Sequence, residues 1–324
     1  MADVTCLGIF VADLIARPVD EYPKRGELSL CEAIKPFIGG CAANTGIGLQ
    51  KLGVSTGVMG KVGRDGFGEF VKGVLGEHGL ETAGMTEDEV ASTSATLVMV
   101  ARDGERSFIH CIGANATFTQ SDVNWDLISS SKLLHIAGHF LMPGFDGAPC
   151  AAVLHRTKEL GITTALDTAW DASGKWLQTL RPTLPYIDYF VPSYSEARRC
   201  VEGLGFKDTP QNVAKFFQDE GVGVVALKMG EAGSYIRGGA QDDFCELQIP
   251  PFRVRAMDAT GAGDAFAAGF LAGVMHGFDL EKTGKLANAT GACVVTEVGT
   301  VAGYRSLDET LEFIEEQEKA GWHK

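Results

Sequence analysis

The run Asp258-Ala259-Thr260-Gly261-Ala262-Gly263-Asp264 sets a carboxylate where a polar glycine turn opens onto the small-residue stretch Ala265-Phe266-Ala267-Ala268-Gly269-Phe270-Leu271. The first N–H groups of a helix lack intrahelical partners and carry partial positive charge. Glycines at 261 and 263 let a ligand approach that backbone, so negative charge developing there would be stabilised. Asp264 is placed to remove a proton at the same spot as a general base. The plainer alternative is a helix start capped by Asp264. A second cluster, Gly39-Gly40-Cys41-Ala42-Ala43-Asn44, opens a helix upstream, and Asn44 offers hydroxyl groups both a donor and an acceptor. A third, Gly60 to Gly68, reads as a glycine-rich loop.

The elements that must position these residues read as alternating strands and helices. Val4–Val11, Leu133–Ile136, Thr163–Leu166, Tyr189–Val191 and Val222–Leu227 are apolar runs of buried-strand length. Asn44–Leu52, Phe67–His78, Gly147–Leu160, Ser193–Cys200, Asn212–Asp219 and Lys282–Val295 read as the helices between them. The alternation predicts an α/β protein with a mainly parallel central sheet covered on both faces. Ser306-Leu307-Asp308-Glu309 is a capping-box pattern that starts a final acidic helix. Thr96–Ala101 and Glu105–Cys111 flank Asp103-Gly104, a hairpin signal, and Leu28–Ile38 is also strand-like. These three suit a small sheet projecting from the body, either as a lid over a site or as a structural hairpin.

Composition bounds the classes. The 324 residues bury a large core, with 45% hydrophobic and 22% charged residues as in soluble globular proteins. A net charge of −14 excludes a basic nucleic-acid footprint and disfavours an anionic membrane as partner. The eight cysteines form no C-x-x-C pair, which favours free thiols and a cytoplasmic location. Met1–Ala16 contains Asp3 and Asp13 and no basic region, unlike a signal peptide, and no run approaches a membrane span. A nicotinamide-dependent oxidoreductase would need G-x-G-x-x-G after the first strand, where Ile9-Phe10-Val11-Ala12-Asp13 stands instead. There is no Walker A run either, because Gly60-Lys61 is followed by Val62.

The Gly39–Asn44 cluster, the Gly60–Gly68 loop and the Asp258–Asp264 signature, in that order, resemble the ribokinase-like (PfkB) carbohydrate kinase family over essentially the whole chain. The resemblance implies a Rossmann-like α/β/α sandwich as one domain over 1–324, with a β lid from roughly 12–38 and 94–113 that often contributes to a homodimer. It implies ATP- and Mg2+-dependent transfer to a hydroxyl of a sugar or related polyol, with a nucleoside kinase or a catalytically silent ligand sensor as alternatives. Asp264 matches the catalytic base, and Gly261, Ala262 and Gly263 match the anion hole. Asp13, Gly39, Gly40 and Asn44 match substrate contacts. Lys228, Gly230 and Gly233 match the segment near the nucleotide phosphates, and Asn288 lies on a helix that borders the adenine. Asp258 and Thr260 match a loop that binds a monovalent cation, K+, in some members. Gly113-Ala114-Asn115-Ala116 matches a stretch that follows the lid.

The chain also departs from the family pattern. Ser193-Tyr194-Ser195-Glu196 stands for Asn-x-x-Glu, so Ser193 weakens the phosphate contact of the asparagine at that nucleotide-side position, while Glu196 remains available to organise Mg2+ through water. His139 stands where a ribose-type acidic residue is expected, either as a substrate contact or as a packed strand-end histidine, and Val11 replaces a polar residue near the sugar. Arg106 in the hairpin reads as a contact for an acidic substrate or as an exposed charge.

Overall fold

The structure is a computed structural model that describes residues 2–239 and 244–321. Its main sheet has nine strands: β1 (Val4–Gly8), β4 (Thr56–Gly63), β5 (Glu81–Asp88), β8 (Leu133–His139), β9 (Thr163–Thr168), β10 (Tyr189–Phe190), β11 (Val224–Lys228), β12 (Ser234–Gly238) and β13 (Cys245–Ile249). A four-stranded sheet holds β2 (Val11–Arg17), β3 (Ala33–Gly39), β6 (Ala95–Val100) and β7 (Arg106–Cys111). The helices are α1 (Cys41–Lys51), α2 (Gly66–Glu77), α3 (Trp125–Ser129), α4 (Ala148–Glu159), α5 (Leu177–Leu180), α6 (Tyr194–Cys200), α7 (Pro210–Asp219), α8 (Ala262–Met275), α9 (Leu280–Val294) and α10 (Leu307–Lys319).

The main sheet is ordered β13-β12-β11-β10-β9-β8-β1-β4-β5. Strands β11 through β5 in that order pair parallel, and β12 and β13 add an antiparallel edge. A buried parallel strand is apolar on both faces because both are covered by helices. Along β1, Val4 and Cys6 face one core while Leu7 faces the other, and in β11 Val224 and Ala226 oppose Val225 and Leu227. Helices α1, α2, α8, α9 and α10 close the first face, with Ile47, Leu75, Phe266 and Leu286 among their buried residues. Helices α4, α6 and α7 close the second with Leu154, Ala197 and Phe217. The expected α/β/α sandwich is therefore the fold. The strand order reverses at β1, which lies between β8 and β4, so the ends of these strands are where such sheets hold ligands.

Three readings are corrected. The apolar run Val4–Val11 is two elements, because the chain leaves the main sheet after Gly8 and enters the small sheet at Val11. Leu28–Ile38 is strand only from Ala33 onward. The Gly60–Gly68 stretch is the end of a buried strand and the start of α2, with only a short turn between. Its glycines serve close packing: a Cβ on Gly60 would lie 2.5 Å from the Phe10 ring, and one on Gly63 would lie 2.4 Å from the Thr93 nitrogen. Asp65 caps α2 by accepting from the Gly68 N–H at 2.9 Å. Periodicity missed this strand because glycine carries no hydrophobic signal.

The hairpin at Asp103-Gly104 forms as expected, with β6 antiparallel to β7. Asn115 ties this sheet's exit to the start of β2 by accepting from the Phe10 N–H at 3.2 Å and donating to its carbonyl at 3.1 Å. Ser306 and Glu309 form the expected capping box of α10.

Candidate functional site

Helices α1 and α8 start side by side, and small residues permit it. A Cβ on Gly48 would meet the Ala268 Cβ at 2.7 Å, so the two backbones lie in near contact there. One turn toward the helix starts, Asn44 stands above Gly48 and Asp264 above Ala268, because residues four apart share a helix face. The result is a direct bond: Asn44 Nδ2 donates to Asp264 Oδ2 at 2.8 Å. Asn44 is buried, its Oδ1 has no partner, and its own carbonyl accepts from the Tyr304 hydroxyl at 3.0 Å.

Asp264 is the third residue of α8, not its cap. Gly261 caps the helix at φ +80°, a left-handed conformation that favours glycine, and a Cβ there would lie 2.8 Å from the Thr300 carbonyl. Gly40 likewise caps α1 at φ +96°, where a Cβ would be 2.4 Å from the Ile9 carbonyl. Two helix N-termini thus converge beside one carboxylate. Asp264 keeps part of its surface open, but its surroundings are protein on most sides. That desolvation pushes its pKa up, opposed by the Asn44 bond, the Lys228 ammonium and the Cys41 thiol.

On the substrate side of the expected site, Asp13 lies on β2, across from Phe37 and Thr96. Its carboxylate occupies the space that a Gly39 Cβ would take, 2.1 Å from Oδ2, which explains the glycine. Burial raises the Asp13 pKa, with the Thr96 hydroxyl and the nearby His110 opposing.

Lys228 ends β11 and points at the same helix start, with Nζ 3.5 Å from the Gly263 carbonyl. It is bound by a residue that sequence reasoning missed: Asp167, at the end of β9, accepts from Nζ at 2.6 and 2.8 Å. A carboxylate closing a buried parallel strand next to a switch point was the available signal. Burial would lower the Lys228 pKa, yet Asp167, Glu196 and Asp264 hold it above the usual ammonium value. Burial pushes Asp167 up to about 7, with Lys228 pulling the other way.

Ser193 and Glu196 form a capping box at α6. The Ser193 hydroxyl accepts from the Glu196 N–H at 3.2 Å, and Glu196 Oε2 accepts from the Ser193 N–H at 3.1 Å and from Thr168 Oγ1 at 3.0 Å. Gly230 and Gly233 bound a single turn after β11. A Cβ on Gly233 would lie 2.0 Å from the Ile249 carbonyl. Asn288 is buried on α9 and donates to the carbonyls of Ile249 and Pro250 at 3.1 and 3.0 Å. It fixes the chain that leads into a cavity of about 660 Å3 lined by Val254, Arg255, Ala256, Met257 and Thr296.

Asp258 is held from three directions. Arg106 Nη2 reaches it from the small sheet at 2.8 Å, the Thr260 N–H donates to Oδ1 at 2.9 Å and the Gly299 N–H to Oδ2 at 3.0 Å. Burial works against ionisation, but Arg106 and these donors prevail and hold the Asp258 pKa down to about 2. Arg106 also bonds the Thr260 hydroxyl. Arg106 is therefore neither an exposed charge nor an open anion contact: it ties β7 to the turn that precedes Gly261.

His139 is not brought to this group. It is fully buried at the end of β8, with Nδ1 3.1 Å from Asp146 Oδ1. Burial lowers its pKa to about 4 and raises that of Asp146 to about 7. Asp146 accepts from the N–H groups of Phe140 and Met142 at 3.1 and 2.9 Å and so shapes the turn after β8, while among the described residues neither His139 ring nitrogen has a hydrogen-bond partner.

Among the described residues no cluster of three His, Cys, Asp or Glu forms a metal cage, and no helix is long and apolar enough to cross a membrane.

The chain is similar to known proteins along most of its length. The chain is 26% identical over 311 residues to an ATP-dependent 6-phosphofructokinase of Thermoanaerobacterium thermosaccharolyticum, covering 94% of this chain and 92% of that protein. It is 25% identical to the 2-dehydro-3-deoxygluconokinase of Bacillus subtilis, covering 86% and 87%. The fold superposes on the structure of Arabidopsis thaliana ribokinase complexed with ribose and ATP with a TM-score of 0.83 at 22% identity, over 97% of this chain and 99% of the other. The family model for pfkB family carbohydrate kinases matches residues 1–306. That match over residues 1–306 places the chain in the pfkB family of carbohydrate kinases, phosphotransferases that act on an alcohol group.

Proposed function

We propose that the protein transfers the γ-phosphoryl group of ATP to a hydroxyl of an uncharged carbohydrate or related polyol. The observation that carries this reading is the Asp264 carboxylate, set by Asn44 at 2.8 Å in the first turn of a helix capped by left-handed Gly261. Asp264 accepts the proton of the attacking hydroxyl as its oxygen bonds to the γ-phosphorus and the bridging P–O bond to ADP breaks. The N–H groups at Gly261, Ala262 and Gly263, with the Lys228 ammonium, face the charge on the transferring group. A primary hydroxyl, extending from the sugar ring, best reaches a carboxylate recessed at a helix start. Asp13, Gly39, Gly40 and Asn44 form the acceptor side, beneath the small sheet acting as a lid, and the unpartnered Asn44 Oδ1 is suited to a substrate hydroxyl. His139 lies apart from this group, buried at the end of β8.

For the nucleotide, the open groove lined by Val254, Arg255, Ala256, Met257 and Thr296 is the candidate, and Asn288 fixes the segment that runs into it. Mg2+ would draw charge from the phosphates, and Glu196, a hard oxygen donor whose Oε2 already accepts two hydrogen bonds, suits contact through its water. The Ser193 oxygen accepts in the cap, so its O–H can still donate to a phosphate oxygen beside the Lys228 ammonium.

The relatives named above act on a phosphorylated sugar and a sugar acid, and an anionic acceptor needs a cation under the lid. Here Arg106 is paired with Asp258 and Lys228 with Asp167, which favours a neutral acceptor. The same Arg106 supplies the charge that a monovalent cation would bring to the Asp258 turn. ATP-to-ADP turnover with Mg2+ over neutral sugars, sugar acids, sugar phosphates and nucleosides is expected to peak with a neutral sugar, equally in K+ and Na+. A preferred sugar acid or nucleoside would overturn the substrate class, a strong K+ requirement would overturn the role of Arg106, and no turnover with any acceptor would favour a silent sensor.

The small sheet and the segment before β3 expose Leu28, Leu30, Ile34, Phe108 and Ile109 to solvent, and we propose that a second copy covers them. Sedimentation velocity is expected to give a dimer that Phe108→Glu dissociates; a monomeric wild type would refute it. All eight cysteines are free thiols, in keeping with a reducing, cytoplasmic location.

A further inference from the structure

We infer that Asp167 is a positioning residue for phosphoryl transfer that acts through Lys228, holding its ammonium charged and fixed against the first turn of α8. The inference rests on the phosphotransfer reading above.

A lysine stem has four rotatable carbons and no fixed donor geometry, so an untethered ammonium samples many positions. Here both Asp167 oxygens bind Nζ, at 2.6 and 2.8 Å, and the two side chains are only 2% and 12% exposed. The end of the stem lies at van der Waals distance from the first turn of α8: a Cβ on Gly263 would be 3.5 Å from Nζ, 3.9 Å from Cε and 4.0 Å from Cδ.

The position is electrostatically unusual. An ammonium is set beside a helix N-terminus, which itself carries partial positive charge. Two like-signed groups aimed at one spot need an anion between them or a counter-ion behind. Asp167 is that counter-ion, with both carboxylate oxygens on Nζ. Without it a lysine this enclosed would tend to lose its proton. The groups facing Lys228 are Asp167 on β9, Glu196 on α6, Asp264 and the Gly263 carbonyl on α8, His135 on β8 and Cys41 on α1. Burial keeps His135 neutral and Cys41 protonated, so the carboxylates decide the state of the lysine. Asp167 alone among them is bonded to Nζ.

A double-mutant cycle tests this. Asp167→Asn is expected to lower kcat by about 10- to 100-fold in the wild-type background. In a Lys228→Met background the same change should cost less than about twofold, because Asp167 then has nothing to hold. Asp167→Asn should also bring the alkaline limb of kcat/KM down by about 1–2 pH units, as Lys228 loses its proton sooner. A residue that merely supports the fold would not move that limb. If Lys228→Met leaves too little turnover to measure, Mg-ADP affinity is read through the same cycle by calorimetry. If Asp167→Asn alone does not fold, Lys228→Met/Asp167→Asn, which removes both charges, should fold, since a neutral pair carries no unmatched buried ion. Additive losses in both readouts, an unmoved alkaline limb, or a double variant no better folded than Asp167→Asn would each overturn the role of Asp167. A wild type that binds Mg-ADP yet transfers to no acceptor would instead count against the phosphotransfer reading, with the affinity cycle still deciding the pairing.

Discussion

Asp264→Asn is expected to lower kcat by about 10²–10⁴-fold, the range a positioned general base contributes. The side chain keeps its shape, and the new amide oxygen can still accept from Asn44 Nδ2, now 2.8 Å from Asp264 Oδ2. What disappears is the capacity to take a proton. Mg-ADP affinity should change by less than about threefold, so the loss lies in the chemical step. The variant should unfold no earlier than wild type, because a charge raised in pKa by desolvation is replaced by a neutral group. The pH profile supplies a second check. Wild-type kcat/KM should fall as pH drops through the Asp264 pKa, which burial holds above the ordinary carboxylate value of about 3.9. In the asparagine variant that acidic limb should vanish from the residual rate. Turnover within a few-fold of wild type would remove Asp264 from the mechanism.

Asn44→Asp should have the second largest effect, through the same bond. It exchanges a donor for a second carboxylate at hydrogen-bonding distance from the first. Two such carboxylates cannot both ionise readily, so one proton is retained and the pair titrates as a unit. The acidic limb of kcat/KM should climb by about 2–3 pH units, with activity near neutrality reduced about 10- to 100-fold and recovering as pH rises. Asn44→Ala provides the contrast. It removes the bond that lowers the Asp264 pKa without adding charge, so its limb should rise by less. An Asn44→Asp profile that overlays wild type would mean that the two side chains do not meet in the working protein.

These two predictions differ in how far they could be read from the chain alone. The carboxylate at the start of α8, proposed as the base, was legible because its signal is local. A glycine turn, a helix start and a carboxylate lie within seven consecutive residues, and helix-end chemistry depends only on neighbouring backbone. Asn44 could be named as polar and near a second glycine turn, but its bond to Asp264 spans 220 positions. That bond exists because Gly48 and Ala268 let two helices touch one turn further along, which no local pattern encodes. Lys228 shows the limit from the other side. The resemblance implied only that it lies near the nucleotide phosphates, and neither its approach to the start of α8 nor the carboxylate that holds it, 61 residues earlier, was foreseen. Arg106 was read as an open question and is answered by Asp258, across the gap between two sheets.

The sequence by itself determined the α/β alternation, the small sheet's hairpin, the glycine-opened helices and the carboxylate at the start of α8, because periodicity, caps and turns act over a few residues of backbone. Only the tertiary structure decided which charges are already matched. It pairs Lys228 with Asp167 and Arg106 with Asp258, buries His139 at the end of β8, and divides the Gly60–Gly68 stretch between a packed strand end and the start of α2. Those outcomes depend on which strand ends and helix starts become neighbours, and that is set by burying two hydrophobic cores at once rather than by any local run of residues.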